Sequence, residues 1–484
     1  MAGGLNINAS FSRLDLPAAL LSNLNTLGYT TMTPVQAQSL PVILQGKDVV
    51  AQAETGSGKT AAFSLGILAA TQTQERVVQA LVLSPTRELA DQIATETRRL
   101  AQTMHNLKVV SLCGGRPIGP QKTSLQHGAH VVVGTPGRIL DHLKRRTLQL
   151  DTLRVLVLDE ADRMLDMGFA EDITEIARQT PGKRQTLLFS ATYPESITQM
   201  SRQLQRQPKR VTVAAEHTPG AIEQLFFEVH KHERTQTLQA IFEHYQPASA
   251  LVFCRTREQC DQVAEQLNEA HIQSLALHGN LDQRARDQVL LQFTNGSCPV
   301  LVATDVAARG LDIQALEMVI NYELPHDAEV YQHRIGRTGR AGRTGLALSI
   351  CTPAEQVRMQ RIEAFTGQPA ICDVYASLDR RPEYRLRAPM TTLEINAGRK
   401  QKLRAGDLLG ALTVAADLPA EAIGKINIFD QSSYVAVDNR MVQQALEYLH
   451  GGKVKGRMVK ARLLLMGRRT SQPTSQPIKS RNTD

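Results

Sequence analysis

The sequence predicts an α/β protein in which two consecutive parallel sheets covered by helices are followed by a small α+β domain. Three observations carry that expectation. Short apolar runs alternate with helical stretches, as they do where parallel strands are buried on both faces. The pattern also repeats: "ALVLSPT" (Ala80 to Thr86) returns 170 positions later as "ALVFCRT" (Ala250 to Thr256). "VVVGTPGR" from Val131 has a looser counterpart in "VLVATDVAARG" from Val300, with Thr135 and Thr304 169 positions apart. Two strand-to-loop junctions at nearly one offset point to a duplicated domain. Finally, beyond about Pro369 the order becomes strand, helix, strand, strand, helix, strand, which suits a split βαβ sandwich.

The chain of 484 residues has room for two or three separate cores. Its hydrophobic fraction of 42% is ordinary for a soluble protein. No apolar run approaches the length of a membrane span, and "MAGGLNINAS" lacks the basic start and apolar stretch of a signal peptide. Six cysteines are scattered without CxxC spacing. They read as reduced thiols at or near the core of a cytoplasmic protein, with no zinc site expected.

Charge is unevenly spread. The chain carries a net +8, yet from Arg381 onward there are 18 basic and nine acidic residues, against 37 and 38 before it. The entire surplus lies in the last fifth, which suggests an appended module for a polyanion, most simply nucleic acid. "GGKVKGRMVKARLLLMGRR" (Gly451 to Arg469) has seven basic residues and no acid. Val459, Ala461 and Leu463 alternate there with Lys460 and Arg462, as in a half-buried strand, and Lys453, Lys455 and Arg457 fall on the turn before it. The other strands of this module are expected at "GKINIF" and "SYVAV", and its helices at "RAGDLLGALTVAA" and "NRMVQQALEYLH". Only Tyr434 is offered for base stacking, the nearby Phe429 being open to a place in the core, so a grip on phosphates and 2′-hydroxyls suits the surface better.

"AETGSGKT" (Ala53 to Thr60) follows the apolar run "KDVVAQ" and precedes the helical "AAFSLGILAA". A strand, a glycine-bearing loop and a helix N-terminus form a phosphate cradle, in which Lys59 adds a point charge and Thr60 a hydroxyl for Mg²⁺. "VLVLDEADRML" (Val155 to Leu165) sets acids at the end of an apolar strand. Asp159 could simply cap the next helix. Together with the phosphate loop, the better reading is that Asp159 holds Mg²⁺ and Glu160 orients or deprotonates the attacking water.

These residues resemble those of the DEAD-box helicases. Asp159–Asp162 spell "DEAD", and that family's phosphate loop has Ala in its first place, as Ala53 here. "PTRELA" (from Pro85), Gly114–Gly115, "TPGR" (from Thr135), "SAT" (from Ser190), "QRAR" (from Gln283), "ATDVAARGLD" (from Ala303) and "HRIGRTGR" (from His333) follow in the family's order over about residues 10–370. The resemblance implies two tandem RecA-like domains, ATP and Mg²⁺ as cofactors, and RNA-stimulated ATP hydrolysis. It implies nucleotide contacts from Phe11, Gln36, Ala53, Glu54, Thr55, Gly56, Ser57, Gly58, Lys59, Thr60 and Asp312. An amide at Gln36 can pair with both adenine N6 and N7, whereas guanine reverses one of these groups. Arg337 and Arg340 would act as arginine fingers beside the catalytic Lys59, Asp159 and Glu160. Asp162, Ser190, Thr192, Asp305, His333 and Arg334 would couple hydrolysis to domain closure. Arg87, Gly115, Thr135, Gly137, Arg138, Gly279 and Thr304 match positions that hold RNA backbone, a sequence-blind grip.

A narrower resemblance covers the tail: "RAGDLLGALT", "IGKI" and "GGKVKG" are similar to a bacterial subfamily with a C-terminal RRM-like domain. It implies recognition of a hairpin in large-subunit ribosomal RNA and a role in ribosome assembly. Lys453, Lys455, Arg457, Lys460 and Arg462 are then the candidate RNA contacts. The expected division is 1–215 for the first RecA-like domain with its upstream adenine-reading segment and 216–370 for the second. Residues 371–390 form a basic linker, 391–466 the RRM-like domain and 467–484 a disordered tail. A monomer is expected. A decayed ATPase retained as an RNA scaffold would have lost Lys59, Glu160 or Arg337, and all three are present. A DNA helicase is the other alternative, against which the "DEAD" and "SAT" pair weighs.

Overall fold

The computed structural model describes residues 10–53, 56–213, 222–308, 316–339 and 344–464. Two compact units emerge, the first built on one parallel sheet and the second on another together with the C-terminal domain.

The first sheet comprises β1 (Val49–Gln52), β2 (Ala80–Leu83), β3 (Val109–Leu112), β4 (Val131–Gly134), β5 (Val155–Leu158), β6 (Gln185–Ser190) and β7 (Lys209–Thr212). Their spatial order is β3-β4-β2-β5-β6-β1-β7, and every pairing is parallel. Alternate residues serve opposite faces, since successive side chains of a strand point opposite ways. Leu156 and Leu158 pack into one core with Leu81 and Ile173, while Val155 and Val157 pack into the other with Phe63 and Ile93. Burial on both faces explains why these strands read as unbroken apolar runs.

The second sheet comprises β8 (Ile222–Glu228), β9 (Ala250–Cys254), β10 (Ser274–Leu277), β11 (Val300–Thr304), β12 (Met318–Asn321), β13 (Gly345–Cys351) and β14 (Cys372–Asp373). Its order is β10-β11-β9-β12-β13-β8-β14, the same permutation as the first. The repeated segments occupy matching places, β2 with β9 and β4 with β11. Even the helix starts agree: Thr86 accepts from Leu89 N at 3.3 Å, and Thr256 from Gln259 N at 3.2 Å. Five cysteines are buried, whereas Cys372 on the edge strand β14 is exposed.

Residues 378–388 do not hang free. Leu378, Leu386 and Ala388 are buried, Arg380 forms an ion pair with Glu243 at 2.7 Å, and Leu386 N donates to His271 O at 3.1 Å. The C-terminal domain then adds β15 (Met390–Ile395), β16 (Ile423–Ile428), β17 (Ser433–Asp438), the short hairpin β18 (Lys453–Val454) and β19 (Arg457–Met458), and β20 (Ala461–Leu463). Its sheet order is β16-β17-β15-β20, all antiparallel. The helical segments are Ala405–Gly410, continued by a wider π turn over Ala411–Ala415, and Val442–Gly451. Leu393, Ile395, Val435 and Val437 pack under these helices. Thr392, pointing to the other face, is also buried: its Oγ1 lies 2.7 Å from Ser297 Oγ on the second RecA-like domain. Part of the face that RRMs commonly use for stacking is therefore covered.

Two expectations for this domain need correction. The alternation through Val459 and Ala461 breaks at Leu463, which is exposed while Leu464 is buried, because β20 ends there and pairs with β15 only through Leu463. Phe429 is not core. It is 46% exposed, in edge contact with Tyr434 at 5.6 Å between ring centres.

Candidate nucleotide and RNA site

In the first domain the chemistry collects at the carboxyl ends of β1, β6 and β5, which are neighbours in the sheet. Ala53 N, just past β1, donates to Ser190 O at 3.0 Å. Gly56 and Gly58 adopt φ of +85° and +93°, a region that side chains strain. A Cβ on Gly58 would lie 2.5 Å from Gln36 Nε2, so only glycine fits. Gly58 also caps the helix Lys59–Ala70 without a side chain of its own, so that helix start lacks a side-chain cap and suits an anion. Lys59 is buried and its Nζ donates to Ala53 O at 2.8 Å. Gln36 spans the cradle's edge, accepting from Thr33 N at 2.9 Å and donating to Gly58 O at 3.1 Å. Phe11 lies buried, edge-on to Tyr29, and packs with Leu20, Leu40 and Leu65. Ser57 and Thr60 sit half-buried on the loop and helix start, while Glu54 and Thr55 lie outside the described residues.

Asp159 directly follows β5 and is 3% exposed. Burial pushes its carboxyl up to about 7, against the pull of Lys59 and with a further push from Glu160. A buried acid so poorly compensated fits a divalent cation, which would restore the ionised form. Glu160 is in the left-handed region at φ +53°, ψ +52°, a strained place for a non-glycine residue, and it turns the chain directly into the helix Ala161–Asp166. Asp162 then reaches β6: its Oδ2 accepts from Ala191 N, Thr192 N and Thr192 Oγ1 at 3.2, 3.0 and 3.0 Å, and its N donates to Ser190 Oγ at 3.3 Å. The "DEAD" and "SAT" segments are thus one hydrogen-bonded unit.

Arg87, Gly115, Thr135, Gly137 and Arg138 come from three loops at the same carboxyl edge. The Arg87 guanidinium lies against Gly114–Gly115, where a Cβ on Gly115 would fall 1.9 Å from its Nη1. Both Arg138 Nη atoms donate to Arg116 O at 3.2 Å.

The second domain repeats part of this. A Cβ on Gly279 would lie 3.4 Å from Arg257 Nε, and Arg257 Nη1 donates to Asn280 Oδ1 at 2.7 Å. Arg257 stands where the internal repeat places Arg87, so the duplication alone could have nominated it; the sequence reading passed over it. Thr304 closes β11 and is buried. Arg334 grips Asp305 with two bonds of 2.6 and 2.8 Å and also donates to Asn321 Oδ1 and Glu323 O. His333 is half-buried beside it, and Arg337 is buried one turn on. Asp312 and Arg340 lie outside the described residues.

In the C-terminal domain Lys453, Lys455, Arg457, Lys460 and Arg462 are all exposed. Two of them are already engaged: Lys455 with Asp407 at 3.0 Å and Arg462 with Glu394 at 2.6 Å. Lys455 Nζ also donates to Lys402 O at 2.8 Å, which joins the β18–β19 hairpin to the segment Arg399–Arg404. That segment brings Arg399, Lys400, Lys402 and Arg404 beside the hairpin, four basic residues that sequence reading did not single out. Only the fold makes one surface of two stretches some 50 positions apart.

Comparison with known proteins supplies the class to which this fold belongs, the helicases. Residues 33–200 match the DEAD/DEAH box helicase family, 233–342 the helicase conserved C-terminal domain, and 392–463 the DbpA RNA binding domain. The chain belongs to the DEAD-box ATP-dependent RNA helicases. Within them it goes with DbpA: it is 51% identical to the ATP-dependent RNA helicase DbpA of Escherichia coli, over 94% of this chain and 99% of that one. It is 37% identical to DbpA of Bacillus subtilis, over 93% and 98%. Among solved structures, Saccharomyces cerevisiae Dbp5 bound to RNA and ADP BeF3 is similar at 30% identity and a TM-score of 0.70, over 76% of this chain and 96% of that one.

Proposed function

We propose that this helicase remodels structured large-subunit ribosomal RNA during ribosome assembly, as a cytoplasmic monomer whose C-terminal domain supplies the address. The observation that carries the catalytic part is the buried Asp159 beside Lys59 at the end of the glycine loop. Asp159 and Thr60 would hold Mg²⁺, which when bound neutralises charge on the phosphates. Lys59 binds the phosphates, Glu160 orients the attacking water and Arg337 stabilises charge on the transferred group. Gln36 reads adenine, and Gln36→Ala should narrow the preference for ATP over GTP. Arg87, Gly115, Thr135, Gly137, Arg138, Gly279, Thr304 and, by the internal repeat, Arg257 grip RNA backbone without reading sequence.

The address is supported by the match to the DbpA RNA binding domain and by the joined basic surface of Arg399–Arg404 and Lys453–Arg457. A tether of this kind raises the motor's effective concentration on neighbouring duplex without altering its own affinity. The test compares ATPase stimulation by ribosomal RNA and by a length-matched control, with the full chain and with a chain ended after Pro389. Cutting earlier would strip Leu378 and Leu386 from the second domain's core. The shortened chain should respond weakly and equally to both RNAs; an undiminished preference would place the address in the motor.

A further inference from the structure

Beneath the first domain's RNA loops lies a buried polar chain that neither catalysis nor the RNA contacts account for. Gln121, on the helix Ile118–Gln126, donates its Nε2 to Cys113 O at 3.0 Å. Its Oε1 therefore faces His142 Nε2, 3.1 Å away, on the helix Pro136–Lys144. An amide oxygen only accepts, so the imidazole proton sits on Nε2. Burial lowers the His142 pKa, and Nδ1 lies 2.8 Å from Thr147 Oγ1, whose hydroxyl also donates to His142 O at 3.1 Å. From His142 onward the protons point one way, through Gln121 to the carbonyl of Cys113. His142 is 0% exposed and Gln121 8%.

The two ends of this chain matter. Cys113 is the residue before Gly114–Gly115, and Arg116 is the residue after. The helix that begins with Pro136 and Gly137 of "TPGR" holds both flanking carbonyls: Arg116 O directly through Arg138, and Cys113 O through His142 and Gln121. The Arg138 clasp is half-exposed and uses a guanidinium that a phosphate would also attract. The Gln121 clasp is buried and has no such competitor.

We propose that Gln121 and His142 are positioning residues for RNA: they keep the Gly114–Gly115 segment aligned with Thr135–Arg138 when Arg138 turns from Arg116 O to a phosphate. This rests on the reading that these loops hold RNA backbone. A buried polar pair that served stability alone would influence melting and leave RNA affinity unmoved. A positioning pair raises the RNA concentration needed for half-maximal ATPase, because loops set at the wrong spacing cannot engage neighbouring phosphates together.

The experiment uses the full chain and a short single-stranded oligoadenylate, which presents no hairpin to the C-terminal domain. Gln121→Met conserves volume but removes the donor to Cys113 O. It should raise the KM for RNA about tenfold, while kcat at saturating RNA and KM for ATP stay within about twofold. His142→Leu should do the same, and His142→Gln, whose amide nitrogen can reach the place of Nε2, should recover most of the loss. Thr147→Val, at the far end, should give a smaller rise in the same direction, and it keeps the question answerable if His142→Leu fails to fold. Arg87→Gln and Arg138→Gln serve as the arm for the underlying reading. If these arginine variants leave the RNA KM unchanged, the RNA reading of the loops is wrong. If they raise it while Gln121→Met and Thr147→Val lower only the melting temperature, the positioning role is overturned.

Discussion

The two RecA-like sheets share one strand permutation and treat buried charge in opposite ways. At the carboxyl edge of the first, Asp159 is enclosed with only Lys59 and the Glu160 N–H, 3.1 Å from Oδ1, favouring ionisation, and burial still pushes its carboxyl up to about 7. In the second, Arg334 is equally enclosed but fully answered, by both oxygens of Asp305, by Asn321 and by the Glu323 carbonyl. A duplicated scaffold thus fixes where functional groups can stand, while the loops decide whether a buried charge is balanced within the protein or left for a ligand to balance. The balanced centre holds structure together; the unbalanced one costs stability and, in the proposed function, supplies the chemistry.

The largest effect expected from this contrast is on turnover. Lys59→Ala removes the charge beside Asp159 and should cut ATP hydrolysis on the order of a thousandfold, read as steady-state ATPase at saturating RNA. Next comes a pair of substitutions with opposite signs. Arg334→Met leaves Asp305 without its partner and should destabilise the second domain by about 3 kcal/mol, measured by denaturant unfolding. Asp159→Asn should abolish turnover yet stabilise the first domain at pH 8 by roughly 1–3 kcal/mol. The sign follows from linkage: the folded pKa of Asp159 lies above its ordinary 3.8, so the group's stabilising effect is complete below that value and is lost as pH rises through about 7. Should Asp159→Asn destabilise the domain instead, the contrast between the two centres fails.

Smaller effects sharpen the comparison. Replacing Lys453, Arg457 and Lys460 together with Gln should lower the slope of log affinity against log salt by about two to three, measured by RNA titration at several ionic strengths. Lys455→Gln and Arg462→Gln should change it less, because those charges already pair with Asp407 and Glu394. The smallest effect is of pH on the first domain's core. Burial lowers the pKa of both His130 and His142 below the ordinary 6.5, so their neutral forms stabilise the fold above that value and the contribution is lost as pH falls through the folded pKa. Hydrogen exchange, corrected for intrinsic rates, should show β4 amides less protected at pH 5 than at pH 7, and a His130→Gln, His142→Gln variant should lose part of that difference.

Much of the fold was legible because its signals are local. An apolar run of four or five residues buried on both faces declares a parallel strand, and the 170-position repeat between Ala80 and Ala250 declares the duplication. The glycine loop and the acids after β5 were legible for the same reason, since phosphate binding by a helix N-terminus needs particular residues at consecutive positions. Two features misled. Phe429 looked apolar enough for a core but falls just past the end of β16 and is exposed, and Leu463 followed an alternation that the strand does not sustain.

What the sequence determined by itself was therefore the order of strands and helices, the duplicated architecture and the glycine loop and acids on which the proposed catalysis rests. Tertiary structure decided which distant residues meet. It set Arg399–Arg404 beside the β18–β19 hairpin, enclosed Thr392 against Ser297, and ran a hydrogen-bond chain from Thr147 through His142 and Gln121 to the segment before Gly114. The physical reason is range. Periodicity, capping and turn chemistry act over a few residues and are written consecutively, whereas a buried polar pair or a joined charged surface depends on where packed elements come to rest, and no local pattern records that.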